Sequence, residues 1–175
     1  MNGWGGGDDD ESAKAVLPQL RVIDAIDWEN EDFPAACSEG VTSALSAPGE
    51  GALLSGQSAL VRLPGHSSGG GETLRFPAAV HANLGEAAKL RFGSRNQYPS
   101  TRMGAMALLR QTLLDARQAM ESKTGPDRAA AAAVESLGPV LKGEMPLVVR
   151  ANRLDDILTA VRLADEFGLR LVINH

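Results

Sequence analysis

The sequence predicts an α/β fold organised on parallel strands, and three observations carry the prediction. The stretch Met145 to His175 reads strand, helix, strand. Most of the chain upstream can be divided into further apolar runs and helical periodicities of the same kind. Three polar residues, Arg150, Asn152 and His175, stand where the strands of the last unit run out.

That last unit has the clearest local physics. Leu147, Val148 and Val149 form a short apolar run, as expected of a strand covered on both faces. Asn152 can cap the following helix, and Asp155 and Asp156 place carboxylates in its first turn, where exposed N–H groups favour negative charge. Leu154, Ile157, Leu158, Val161 and Ala164 repeat at helical spacing. Gly168 stops the helix, and Leu169, Leu171, Val172 and Ile173 make a second strand. Strand, crossover helix and strand imply a parallel pair with a right-handed connection. Ligands of such sheets sit at the carboxyl ends of the strands, where Arg150, Asn152 and His175 lie.

Taken in order, residues 2–11, NGWGGGDDDE, read as a solvated flexible terminus, without the ligand spacing of a calcium loop. An apolar pattern from Leu17 to Ile26 ends at the acidic turn DWENED, and Asp32 can cap a short helix, Phe33–Ser38, stopped by Gly40. Val41 to Ala47 is a strand, followed by a glycine-bearing loop, PGEGALLSGQS. No Gly-Lys-Ser/Thr follows that loop, so it reads as a tight strand connection rather than a phosphate cradle. Ser58–Leu63 is the next strand, and residues 64–72 form a loop with an exposed His66. Ala78 to Val80 reads as a strand with His81 and Asn83 just beyond it. Residues 85–99, with Lys89, Arg91 and Arg95, read as a basic loop able to close over an anionic or polar ligand.

Pro99-Ser100-Thr101 opens the longest helix, to about Ser122, with Met106, Leu109, Leu113, Ala116 and Met120 as its buried stripe. A break at Thr124–Asp127, with Asp127 as a cap, precedes an alanine-rich helix, and Gly143-Glu144 returns the chain to the last unit. About five strands result, whereas a closed (β/α)8 barrel takes roughly 250 residues. The 175 residues therefore make an open α/β sheet or part of a barrel.

Composition limits the function classes. The chain is 43% hydrophobic but 4% aromatic, so its core is aliphatic. A net charge of −5 argues against a nucleic-acid partner, which would call for a basic face. No apolar span suits a membrane and no leader pattern opens the chain. The expectation is a soluble protein, cytoplasmic by default, exported only if a signal lies upstream. Cys37, the single cysteine, rules out an internal disulfide and a cysteine-cluster metal site, and reads as a packed small residue.

Five segments then resemble a known family. WGGGDDD, LRVIDAID, GVTSALSAPGEGALLSGQSALVRLPG, YPSTRMGAMALLRQTLLDAR and RLDDILTAVRLADEFGLRLVINH are similar, in that order, to the middle of the imidazolonepropionase-like branch of the metal-dependent amidohydrolase superfamily. Its members read similarly to GVTTVVVAPGS…GGQ, TRMG, HAHRADDI and LVLEHG. The resemblance implies a (β/α)8 barrel preceded by a small β-sandwich. It also implies hydrolysis of C–N bonds other than peptide bonds, by water activated on zinc or another divalent metal. On that basis residues 1–16 are a flexible N-terminal segment and 17–175 a partial barrel domain, lacking the first and last barrel strands and the β-sandwich.

The departures bear on activity. The family's His-x-His pair would lie upstream of this chain and its catalytic aspartate downstream. By the resemblance His81 stands where members have lysine, while Arg150 and Asn152 stand where members have histidines. Arginine cannot coordinate a cation, and asparagine is a poor zinc ligand. His175 and His81 remain as candidate metal ligands, too few for a divalent site. No catalytic residue is assigned, and Arg150 and Asn152 become candidate ligand-binding residues, Arg150 as a carboxylate anchor. The expectation is a catalytically incomplete amidohydrolase relative or a non-catalytic binding or partner module. Its partners would be a small molecule and, through open sheet edges, a second copy or a complementing chain.

Overall fold

The computed structural model describes residues 10–11, 13–64, 70–122 and 128–175. His66, most of the expected flexible terminus and the Thr124–Asp127 break lie outside them. Helices α1 (Asp32–Ser38), α2 (Glu86–Gly93), α3 (Arg102–Glu121), α4 (Arg128–Leu141) and α5 (Leu154–Phe167) accompany five strands. The strands are β1 (Ser43–Ser46), β2 (Leu54–Arg62), β3 (Glu72–Asn83), β4 (Leu147–Arg150) and β5 (Leu171–Asn174). They form one sheet, in the order β1-β2-β3-β4-β5, curled as half of a barrel.

The sheet is parallel only in its C-terminal part. β3, β4 and β5 pair in parallel, but β1 with β2 and β2 with β3 pair antiparallel. This corrects the expectation of repeated strand–helix–strand units, and the reason is loop length. The links 47–53 and 63–71 are too short for a helical crossover, so the chain returns by hairpins. Between β3 and β4 stand α2, α3 and α4, and between β4 and β5 stands α5, which gives room for parallel returns.

The apolar side of the sheet packs on the helices. Val80, Ala82, Leu147 and Val149 join Leu109, Leu113, Leu137 and Leu163 in the main core. Leu109, Leu113 and Ala116 of the expected α3 stripe are buried, with Met106 packed against them. Thr101 caps α3 by accepting from Gly104 N at 3.0 Å, and Gly168 closes α5 at φ +70. A smaller core holds Phe33, Ala59, Val61 and Leu63 under α1, with Cys37 packed at its edge as expected. Ala15 belongs to the main core and Val16 bridges to Leu54.

Three local expectations are corrected. Residues 54–57, read as loop, are the buried start of β2. Gly56 makes this feasible, because at φ +125 a Cβ would meet the Leu20 carbonyl oxygen at 2.7 Å. Residues 86–93, read as loop, form α2, held by burial of Ala88 and Phe92 rather than by a strong apolar periodicity. Finally, α5 begins one residue later than expected: Arg153 holds the cap position, without a side-chain hydrogen bond, and Asn152 is exposed. No helix among the described residues is long and apolar enough to cross a membrane.

Candidate functional site

The strand ends of β3, β4 and β5 stand side by side. Asn83 pairs with Arg150 and Arg150 with Asn174, while two residue levels below His81 pairs with Val148 and Val148 with Val172. Successive strand residues point to opposite faces. Since Val80, Ala82, Leu147, Val149 and Ile173 face the helices, His81, Asn83, Val148, Arg150, Val172 and Asn174 line the concave face. Alternation thus delivers an imidazole, an amide and a guanidinium to one surface.

Each is fixed differently. Asn83 is buried and structural: its Nδ2 donates to the Ala52 carbonyl at 2.8 Å and lies 3.4 Å from that of Gly49. It thereby clamps the 47–53 link against the sheet. Asp10 holds the same link from outside, accepting from Gly51 N at 2.6 Å and pairing with Arg91 at 2.7 Å. The link carries Glu50, whose carboxylate meets Arg150 Nη1 at 2.5 Å. Arg150 Nε is buried without a hydrogen-bond partner. A cavity of about 270 Å³ opens here, lined by Glu50, Gly85, Glu86, Arg150, Asn152 and Asp156 among others. The structure therefore brings Arg150 and Asn152 together at one strand-end cavity.

The two histidines are not brought together. His81 lies inside β3 rather than beyond its end, because the strand runs on to Asn83. It is 7% exposed, its Nε2 has no partner, and burial lowers its pKa to about 4, so the ring is neutral at neutral pH. His175 follows Asn174, exposed, two strands away and three residue levels further along. Strand spacing and rise make that about 10 Å across and about 10 Å along. A zinc ion holds its ligands at about 2 Å, so the pair cannot share one ion in this geometry. The described residues contain no cluster of three His, Cys, Asp or Glu side chains able to hold a metal.

The basic segment is mostly engaged: Lys89 pairs with Glu86 at 2.9 Å and Arg91 with Asp10. Sequence reasoning missed Glu50 and Asp156 as cavity residues. Glu50 had a signal, a charge between two glycines that cannot lie in a strand interior. Asp156 had none beyond its place in the first turn of α5, since its burial depends on the loop after β3.

No protein-family model matches the chain, and no curated protein matches it. Its fold is similar to the crystal structure of an amidohydrolase from Thermotoga maritima, with a TM-score of 0.86 and 28% sequence identity over 97% of this chain. The chain spans 46% of that protein, about half its length. The fold is thus amidohydrolase-like, a half-barrel in which the curled sheet turns its polar face inward.

Proposed function

We propose that the chain is an amidohydrolase-family protein of the imidazolonepropionase-like branch, and that its own residues bind a small acidic molecule without hydrolysing it. The observation that carries this reading is Arg150, at the end of β4, with a buried and unpartnered Nε on the strand-end cavity. A guanidinium presents parallel donors that match a carboxylate. Glu50 occupies Nη1 and Nε is closed off from water, so a ligand would displace Glu50 to reach the fork.

The activity implied by resemblance is hydrolysis of C–N bonds other than peptide bonds, through water activated on zinc or a similar ion. The donor set does not fit such an ion. His81 offers one neutral imidazole to the concave face, Arg150 places a cation two residue levels from it on the next strand, and His175 is out of reach. One observation favours a second reading, a hydrolase whose metal site is completed by residues from another segment or chain: His81 Nε2 has no partner. Stoichiometric zinc binding, lost in His81→Ala, would select that reading.

The first reading is tested with glutarate as probe. Arg150→Ala should weaken glutarate binding by about tenfold or more, and Glu50→Gln should strengthen it by freeing the fork. If the unaltered protein shows no saturable glutarate binding, or if Arg150→Ala unfolds it, the anchor role fails.

A further inference from the structure

On the other side of Gly85 lies a second cavity, of about 260 Å³, between the start of α3, the first turns of α5 and the loop after β3. Leu84, Pro99, Met103 and Met106 make much of its wall apolar, and Met103 is 81% exposed at its mouth. Asp156 lines this cavity as well as the strand-end one, though the residue is only 5% exposed. Its Oδ1 lies 3.4 Å from Arg102 Nε, a loose contact, and its Oδ2 is buried with no hydrogen-bond partner. A carboxylate oxygen removed from water without a donor is costly, and a further charged donor is what relieves it.

The cations nearby give Oδ2 no hydrogen bond. Lys89 is held by Glu86 at 2.9 Å, and Arg102 is divided between Asp155 at 3.6 Å and Asp156. Arg162 donates to Thr159 Oγ1 at 2.8 Å. We propose that this cavity is a small-molecule site for a primary ammonium on a short apolar tail, with the ammonium on Asp156 and the tail along Met103 and Met106. The site does not depend on Arg150, and its ligand has the opposite charge to the one proposed there.

The test uses n-hexylammonium, hexanol and hexanoate, titrated by calorimetry and by amide chemical shifts. Hexylammonium should bind one to one and move the Gly85, Thr159 and Met103 resonances. Hexanol should bind at least about tenfold more weakly, since it meets the carboxylate without charge, and hexanoate should not bind here. Asp156→Asn should abolish the preference for the amine. Should Asp156→Asn fail to fold, Ala105→Leu, which adds bulk to the cavity wall and keeps the carboxylate, should block hexylammonium instead. Arg150→Ala should impair glutarate binding while the preference for hexylammonium over hexanol persists. Equal binding of hexanol and hexylammonium, no saturable binding at all, or amine binding that survives both cavity variants would overturn the proposal.

Discussion

The two faces of the one sheet differ more than any two separate regions of the molecule. The convex face, Val80, Ala82, Leu147 and Val149, is aliphatic and packed under three helices. The concave face carries His81, Asn83, Arg150 and Asn174 from the same strands, one residue out of phase. Among the described residues, two of the three buried side-chain atoms without partners, His81 Nε2 and Arg150 Nε, belong to it, and the third, Asp156 Oδ2, lies at its rim. The convex face is satisfied by its own fold. The concave face leaves two polar atoms without partners, which is why it is the face proposed above for binding.

That contrast can be broken from either side. The largest effect should come from the packed face: Leu109→Ala, at a fully buried position, should cost about 4 kcal/mol through lost transfer energy and a residual cavity. Chemical denaturation checks it, and a loss below about 1 kcal/mol would mean that the helix layer is loosely packed.

Acid should act next, through the concave face. His81 has its folded pKa lowered to about 4, against 6.5 unperturbed, so folding favours the neutral ring. Its contribution is fully present above pH 6.5, declines as the pH falls through the window to 4, and reaches about 3 kcal/mol lost below it. Glu86 and Glu166, lowered by hydrogen bonds to Lys89 and Arg110, lose their contributions as the pH falls below the ordinary carboxylate value of 4.5, at the foot of that window. His81→Gln should therefore flatten stability between pH 6.5 and 4. A slope that persists in the variant would place the acid sensitivity elsewhere.

The smallest stability effect should be at Arg150. Its pair with Glu50 leaves the two side chains 40% and 43% exposed, so Arg150→Ala should shift stability by less than about 1 kcal/mol while impairing glutarate binding. A large stability loss with no binding loss would move Arg150 from the binding face to the structural one.

Much of the helical layer was legible because its signals are local. The α3 stripe at Leu109, Leu113 and Ala116, the Thr101 start and the Gly168 stop depend on spacing and on backbone freedom within a few residues. So did the convergence of Arg150 and Asn152, since both follow a short apolar run and strand ends collect ligands in such sheets. The helix α2 was not legible, because its burial of Ala88 and Phe92 answers to neighbours distant in sequence.

By itself the sequence determined the α/β class, the parallel C-terminal unit and the identity of the residues at its strand ends, because hydrophobic period and turn chemistry act over one or two turns of chain. Only the tertiary structure decided that β1 to β3 return as hairpins, that His81 and His175 stand too far apart to share an ion, and that Asp156 is buried over Gly85. Those are matters of register and contact between segments far apart in the chain, and no local pattern encodes the distance between two side chains that meet, or fail to meet, across a sheet.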